Sequence, residues 1–270
     1  MITIKSEREL ELMRRVCKLV ADILVSLSGK IVPGISLSEL DAEAERLSVA
    51  AGAQPAFKGY LGYKHTLCTS VNEQVVHGIP TERRLSEGDI VGIDFGLVLN
   101  GYYGDSAVSV PVGKISQSAR KLMTVTREAL YNAIEVSRAG NTLRDIAAAI
   151  EGTVVPQGYS IVREFVGHGI GQKLHEDPQI PNYIAGASSV RLKPGMTIAI
   201  EPMINAGSHS VRILSDHWTA VTEDGSLSAH FEHTLAITDD KPEILTEWPG
   251  GRLGVVSGKD LVVGSTETGA

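Results

Sequence analysis

The stretch Ile90-Val-Gly-Ile-Asp94-Phe-Gly-Leu-Val-Leu99-Asn100-Gly101-Tyr102-Tyr-Gly-Asp105-Ser-Ala-Val-Ser-Val-Pro-Val112 sets one Asn-Gly pair between two β-branched and apolar runs. A two-residue type I′ turn needs positive φ at both central positions, which Asn-Gly tolerates best, so the stretch is expected to fold as an antiparallel hairpin. Such a turn fixes the register. Leu99 then faces Tyr102, Gly96 faces Asp105 and Asp94 faces Ala107, which puts Asp94 and Asp105 on one face as diagonal neighbours roughly 7 to 8 Å apart. A β-bulge in either strand would alter that spacing.

Outward from the hairpin the period changes. Ser6-Glu-Arg-Glu9 has the pattern of a capping box, and Leu10, Met13, Val16, Val20, Ile23, Leu24 and Leu27 follow at helical spacing until Gly29. Ser36 with Glu39 opens a second helix, whose apolar side carries Leu40, Ala44 and Leu47 and which Gly52 ends. Thr66 to Val76 reads as strand. Ser116 or Ser118 opens a third helix with Leu122, Val125, Ala129, Ala133 and Ile134 on one side, closed by Gly140, and Thr142 with Asp145 caps a fourth.

The order repeats. Gly34-x-Ser36-Leu37-x-Glu39-Leu40 recurs as Gly140-x-Thr142-Leu143-x-Asp145-Ile146, and Gly88-x-x-x-x-Ile93-Asp94 recurs at nearly the same offset as Gly195-x-x-x-x-Ile200-Glu201. Two related helix-helix-strand halves, about 6–112 and 116–240, predict an α+β fold in which helices cover a shared antiparallel sheet. One domain is expected over 1–249. The Gly/Ser/Thr-rich tail 250–270 is read as a partly ordered surface segment.

Composition narrows the function. The chain has 270 residues, 43% of them hydrophobic, with 25 Lys and Arg against 32 Asp and Glu for a net charge of −7. With no basic stretch to offset that balance, nucleic acid is excluded as the primary ligand. Cys17 and Cys68 could form at most one bridge, so reduced thiols and a cytoplasmic protein are expected. No apolar run approaches the roughly 18 residues that span a bilayer, and the start Met1-Ile-Thr-Ile-Lys-Ser6 runs straight into charged residues, so neither secretion nor membrane insertion is expected.

Glu201 in Ala199-Ile-Glu-Pro202 and Glu232 in His230-Phe-Glu-His-Thr234 are also embedded in strand-like sequence. Superimposing the halves gathers Asp94, Asp105, Glu201 and Glu232 at their junction. Four like charges on an inward face repel and lose hydration unless divalent cations neutralise them. Gly167-His168-Gly-Ile-Gly171 adds an imidazole between glycines. An oxygen-rich set with one nitrogen and no thiolate suits Mn, Fe(II), Co or Zn at a paired centre, and such a centre points to hydrolysis.

Read in order, Asn72-Glu-Gln-Val-Val-His77-Gly-Ile-Pro80, Ile93-Asp94, Tyr103-Gly-Asp105, Gly167-His168-Gly-Ile-Gly171, Ile200-Glu201-Pro202 and Glu232-His-Thr234 carry a resemblance. From Ile4 to Thr246 the sequence resembles the type I methionine aminopeptidases, metallopeptidases that share the pita-bread fold. The resemblance implies two divalent ions (Co, Mn, Fe(II), Zn or Ni) held by Asp94, Asp105, His168, Glu201 and Glu232, with Asp105 and Glu232 bridging. It also implies that His77 and His175 contact the substrate peptide and stabilise the tetrahedral intermediate. Glu201, a carboxylate of the metal centre, is the expected proton shuttle.

Tyr60, Tyr63, Cys68 and Trp218 match the family's methionine pocket, in which Phe57 replaces a smaller residue common there and Leu174, also assigned to substrate binding, stands where an aromatic is common. His230 stands where bacterial relatives usually carry Gln and shares a face with Glu232, which suggests a supporting contact to the ligands. The implied reaction is removal of amino-terminal methionine from peptides and nascent proteins with a small second residue. The ribosome is a candidate partner, and a monomer is expected. The short span from Glu201 to Glu232 leaves no room for the type II helical insertion, and the first helix begins at once, so no zinc-finger extension is expected. A proline-specific peptidase on the same fold is the alternative, but it normally carries a further amino-terminal domain. A binding module would be expected to lose ligands. His65, His209, His217 and His233 are read as ordinary histidines, and Cys17 as a packed thiol.

Overall fold

The computed structural model describes residues 2–248, so the tail 250–270 lies outside the described residues. The hairpin forms with the expected register: Ile90–Leu99 pairs with Tyr102–Pro111 without a bulge, Leu99 facing Tyr102, Gly96 facing Asp105 and Asp94 facing Ala107. Asn100 and Gly101 both take positive φ, at 52° and 80°. Leu67–Val71 and Gln54–Pro55 add to the Ile90–Leu99 strand on its other edge.

Four helices cover the strands: α1 (Glu7–Ser28), α2 (Leu37–Ala50), α3 (Gln117–Val136) and α4 (Leu143–Val154). Reciprocal capping boxes start three of them, Ser6 with Glu9, Ser36 with Glu39 and Thr142 with Asp145. Each satisfies backbone N–H groups that a helix start leaves unpaired. Ser116 alone caps α3.

Two elements differ from the sequence reading. Thr66–Val76 is not one strand. Asn72 takes a left-handed φ of 58°, and its side chain accepts from Ile90 N and donates to Asp89, which turns the chain between Leu67–Val71 and Gln74–Val76. The third helix stops at Val136 rather than running to Gly140, because Ser137 leaves helical geometry while its hydroxyl donates to the carbonyl of Ala133.

The internal repeat is physical. Arg84 donates to the carbonyl of Gly34 and pairs with Ser36, and Arg191 donates to the carbonyl of Gly140 and pairs with Thr142. In the second half Gly167–Gly169, Glu176–Ile180, Thr197–Ile200, His233–Ala236 and Glu243–Ile244 form a five-stranded antiparallel sheet. Where it meets the hairpin, the halves are stitched largely by side chains. Thr234 donates to the carbonyl of Asp105 and accepts from its N–H, Ser106 donates to the carbonyl of Glu232, and Ser109 does the same for His230. Backbone bonds join them as well, among them Glu232 N to Ala107 O and Tyr103 N to Gly171 O.

Helix α1 packs on the hairpin through a close approach at Gly104, where an added Cβ would lie 2.9 Å from Cys17 Sγ and 3.1 Å from Cys17 Cα. Cys17 is a buried free thiol, as its place on the apolar face of α1 implies. Gly104→Ala is therefore expected to lower stability by about 1–3 kcal/mol through overpacking. A urea midpoint equal to that of the wild type would show that the helix can lift from the hairpin without cost.

Candidate metal centre

The hairpin brings Asp94 and Asp105 to the floor of a cavity of about 200 Å³, and the second half supplies His168, Glu201 and Glu232 to the same floor. Asp105, His168 and Glu232 are buried, and each offers a ligand atom within 4.8 Å of the others. Asp94 and Glu201 reach the cavity but lie outside that tight group. His168 Nε2 stands 3.6 Å from Glu201 Oε1.

The tautomer of His168 can be read from its contacts. Its Nδ1 lies 2.9 Å from the carbonyl of Gly169, which can only accept. Nδ1 therefore carries the proton and Nε2 presents a bare lone pair to the cavity, the arrangement a metal-binding imidazole needs. The flanking glycines are required sterically: a Cβ at Gly167 would sit 2.3 Å from the carbonyl oxygen of Ala199, and one at Gly169 2.2 Å from that of Asp177.

All four carboxyl groups are displaced toward the protonated form. Burial pushes Asp94 up to about 7. Asp105 is raised by burial, then by Asp94 and Glu201; Glu201 by burial, then by Asp94; Glu232 by burial, then by Asp105 and Glu201. Asp94 Oδ1, Asp105 Oδ1 and Glu232 Oε1 are buried without a hydrogen-bond partner. Unpartnered buried acceptors cost folding free energy, and acceptor oxygens beside a bare imidazole nitrogen are a donor set that divalent cations satisfy. The residues present fit a metal.

Above the floor stand two further imidazoles. His175 Nδ1 is hydrogen-bonded to the Tyr60 hydroxyl at 2.7 Å, and its ring lies edge-on to His168 with centroids 4.3 Å apart. His77 has a left-handed φ of 59°, and its ring meets Phe165 edge-on at 5.2 Å. Burial lowers His175, and burial with the neighbouring His175 lowers His77 to about 4 and His168 to about 3. Burial thus favours the neutral form of all three.

The walls are apolar. Tyr63 packs edge-on to Trp218 at 4.9 Å while its hydroxyl donates to the carbonyl of Leu67, and Phe57, Cys68 and Leu174 complete that side. Phe57 fits because its ring packs on Gly96, where a Cβ would lie 2.8 Å from it. Every site residue expected from sequence thus faces this cavity, His230 apart. His230 is buried 3.8 Å from Glu201 Oε2, its Nε2 without a partner. Phe165, Val166, Val76 and Leu61 also line the cavity and were not expected, since nothing in their spacing distinguishes them from ordinary apolar residues. His233 is structural, held between the Tyr131 hydroxyl and Thr246 Oγ1.

The profile of Metallopeptidase family M24 matches residues 11–239. Methionine aminopeptidase 1 of Bacillus subtilis (strain 168) is 52% identical over 246 residues, 91% of this chain and 99% of that protein. The crystal structure of methionine aminopeptidase from Thermotoga maritima superimposes with a TM-score of 0.89 at 46% identity, covering 91% of this chain and 99% of that one. Prolidase from Pyrococcus furiosus gives a TM-score of 0.74 at 24% identity, covering 91% of this chain and 66% of the prolidase, a likeness of fold.

The displaced carboxyl groups make stability depend on pH and on metal. Because the folded Asp105 carboxyl sits well above its ordinary value, its contribution is fully present below that ordinary value and is lost as pH rises through the folded one. In chelator-treated protein, Asp105→Asn is expected to be more stable than the wild type at pH 8 and little different at pH 4. Manganese at 100 times its Kd should reverse the order at pH 8, stabilising the wild type by about 2.7 kcal/mol. Identical urea midpoints with and without Mn²⁺ would remove Asp105 from the ligand set.

Proposed function

The chain belongs to metallopeptidase family M24 and has the pita-bread fold, and on that premise we propose that it hydrolyses the bond after the amino-terminal methionine of peptides and nascent proteins. The observation that carries the reading is one cavity with an apolar wall of Tyr63, Cys68 and Trp218 over a floor of four carboxylates and His168. An unbranched thioether side chain fits such a wall, and aromatic rings favour sulfur contacts. Asp94, Asp105, His168, Glu201 and Glu232 would hold two divalent cations. The ions would supply Lewis acidity to the scissile carbonyl and acidity to the attacking water. Their ligands are hard or borderline, which favours Mn, Fe(II) or Co, with Zn and Ni as further occupants.

The protein's own groups divide the remaining work. Glu201, raised by burial and by Asp94, takes the proton of the nucleophile and passes it to the leaving amine. His175 and His77 stand neutral over the floor as donors to the scissile peptide and to the charge that develops on its oxygen. The second side chain of the substrate passes between the floor and His77, which favours Ala, Gly or Ser there. The proline-specific alternative is not favoured, because likeness to the prolidase is one of fold and 52% identity lies with a methionine aminopeptidase. Two free cysteines fit a cytoplasmic enzyme. Among the described residues no helix is long and apolar enough to cross a membrane. We take the enzyme to act as a monomer on chains emerging from the ribosome.

Glu201→Gln is expected to lower kcat by roughly 100-fold or more, since proton transfer is lost. Near-normal turnover with metal still bound would refute the shuttle, and full activity after exhaustive chelation would overturn the metallopeptidase reading.

Peptides that differ only in the second residue test the pocket beyond the scissile bond. Ile is stiff at χ1 and cannot swing its bulk aside, so Met-Ala and Met-Gly peptides should be cleaved while Met-Ile is spared, each 1.4 kcal/mol of clash being about tenfold in rate. Efficient cleavage of Met-Ile would mark a broader aminopeptidase.

A further inference from the structure

The turn that carries His175 is fixed by residues at the far end of the chain. Lys5 Nζ donates to Glu176 Oε2 at 2.6 Å, with 3% and 10% of the two side chains exposed. Glu176 Oε1 in turn accepts from the N–H of Lys173, closing the turn. Gly171 is the cradle for this pair, since a Cβ there would lie 2.6 Å from Lys5 Cε and 2.7 Å from Glu176 Oε1. Lys5 is itself anchored, its N–H donating to the carbonyl of Gly195 at 2.7 Å.

A second tether runs beside the first. Gln172 donates to the Tyr102 hydroxyl at 3.0 Å, and that hydroxyl donates to Glu9 Oε1 at 2.9 Å. The other oxygen of Glu9 accepts from Ser6 in the capping box, so the start of α1 is the fixed point. Lys5, Glu9, Gln172 and Glu176 line one cavity of about 690 Å³ together with His168 and His175.

We propose that residues 5–9 form a clasp on the 171–176 turn, in which Lys5 and Glu9 are positioning residues that hold His175 over the reacting peptide. This rests on the role given to His175 above. A buried ion pair is weak as a source of stability but costly to break on one side, and it fixes one geometry. A misplacement of about 1 Å at a catalytic group costs on the order of 100-fold in rate. The turn is a bulge in its ladder, with Gly169 facing Glu176 next to the His168–Gln179 pair, so backbone pairing alone does not hold it in register.

The test uses manganese-loaded enzyme and a Met-Ala peptide, with Lys5→Met and His175→Ala made singly and together. Lys5→Met is expected to lower kcat roughly 10- to 100-fold with a smaller change in KM. In the His175→Ala background it should add less than about twofold, because residues acting through one group are not additive. Amide exchange should rise at 171–176 and stay unchanged in the 90–111 hairpin. Additive losses, or unchanged exchange at 171–176, overturn the clasp. Wild-type kcat in His175→Ala would instead overturn the role of His175, and exchange at 171–176 then decides the clasp. Should Lys5→Met not fold, Tyr102→Phe, which cuts only the second tether, must raise exchange at the same amides; unchanged exchange there overturns the proposal.

Discussion

Four carboxyl groups forced into one cavity are the constraint on which the rest of this structure depends. Each is raised first by burial, and three also by one another, so these groups are held together against desolvation and repulsion. Holding such a floor in place needs rigid supports. The hairpin supplies two of the groups on one continuous ladder, and the opposing strands are locked to it by Thr234, Ser106 and Ser109, whose hydroxyls bind carbonyls across the junction. Around this seam lies the apolar core, with Phe95 and Phe231 fully buried on either side of it. Residues that alternate with the ligands therefore provide the burial that offsets the cost of the ligands themselves.

What the sequence made legible was local and periodic. Asn100-Gly101 fixed a register, and the register alone put Asp94 and Asp105 on one face. The repeated Gly-x-Ser/Thr pattern pointed to two like halves, and the structure shows why it repeats: in each half an Arg reaches back to the carbonyl of the same glycine, from Arg84 to Gly34 and from Arg191 to Gly140. Capping boxes announced three helices because their donors and acceptors are three residues apart.

Contacts between distant residues left no such mark. Phe165 meets His77 edge-on from across the chain, and Lys5 reaches Glu176 over 171 positions, yet neither spacing has a period. The end of the third helix was hidden for a related reason. Gly140 looked like the stop of α3, but Ser137 ends it earlier by turning its hydroxyl back to Ala133, a competition between side chain and backbone that composition does not reveal. His230 was legible as a neighbour of Glu232 and not as a residue facing Glu201, because one strand ends at His230 and the next begins at His233 in another sheet, with Phe231 buried in the core between them.

The choice of imidazoles around the floor follows from the same constraint. A Lys or Arg would neutralise the carboxylates and fill the place that a divalent cation is to take, and among the described residues none lines the cavity. His77, His168 and His230 are instead pushed by burial far below their ordinary value, so they offer donors and lone pairs without charge. The ammonium of Lys5 does stand in the neighbouring cavity with His168 and His175, but Glu176 holds it at 2.6 Å. One ion pair thereby ties the segment before the first helix to the turn that bears His175.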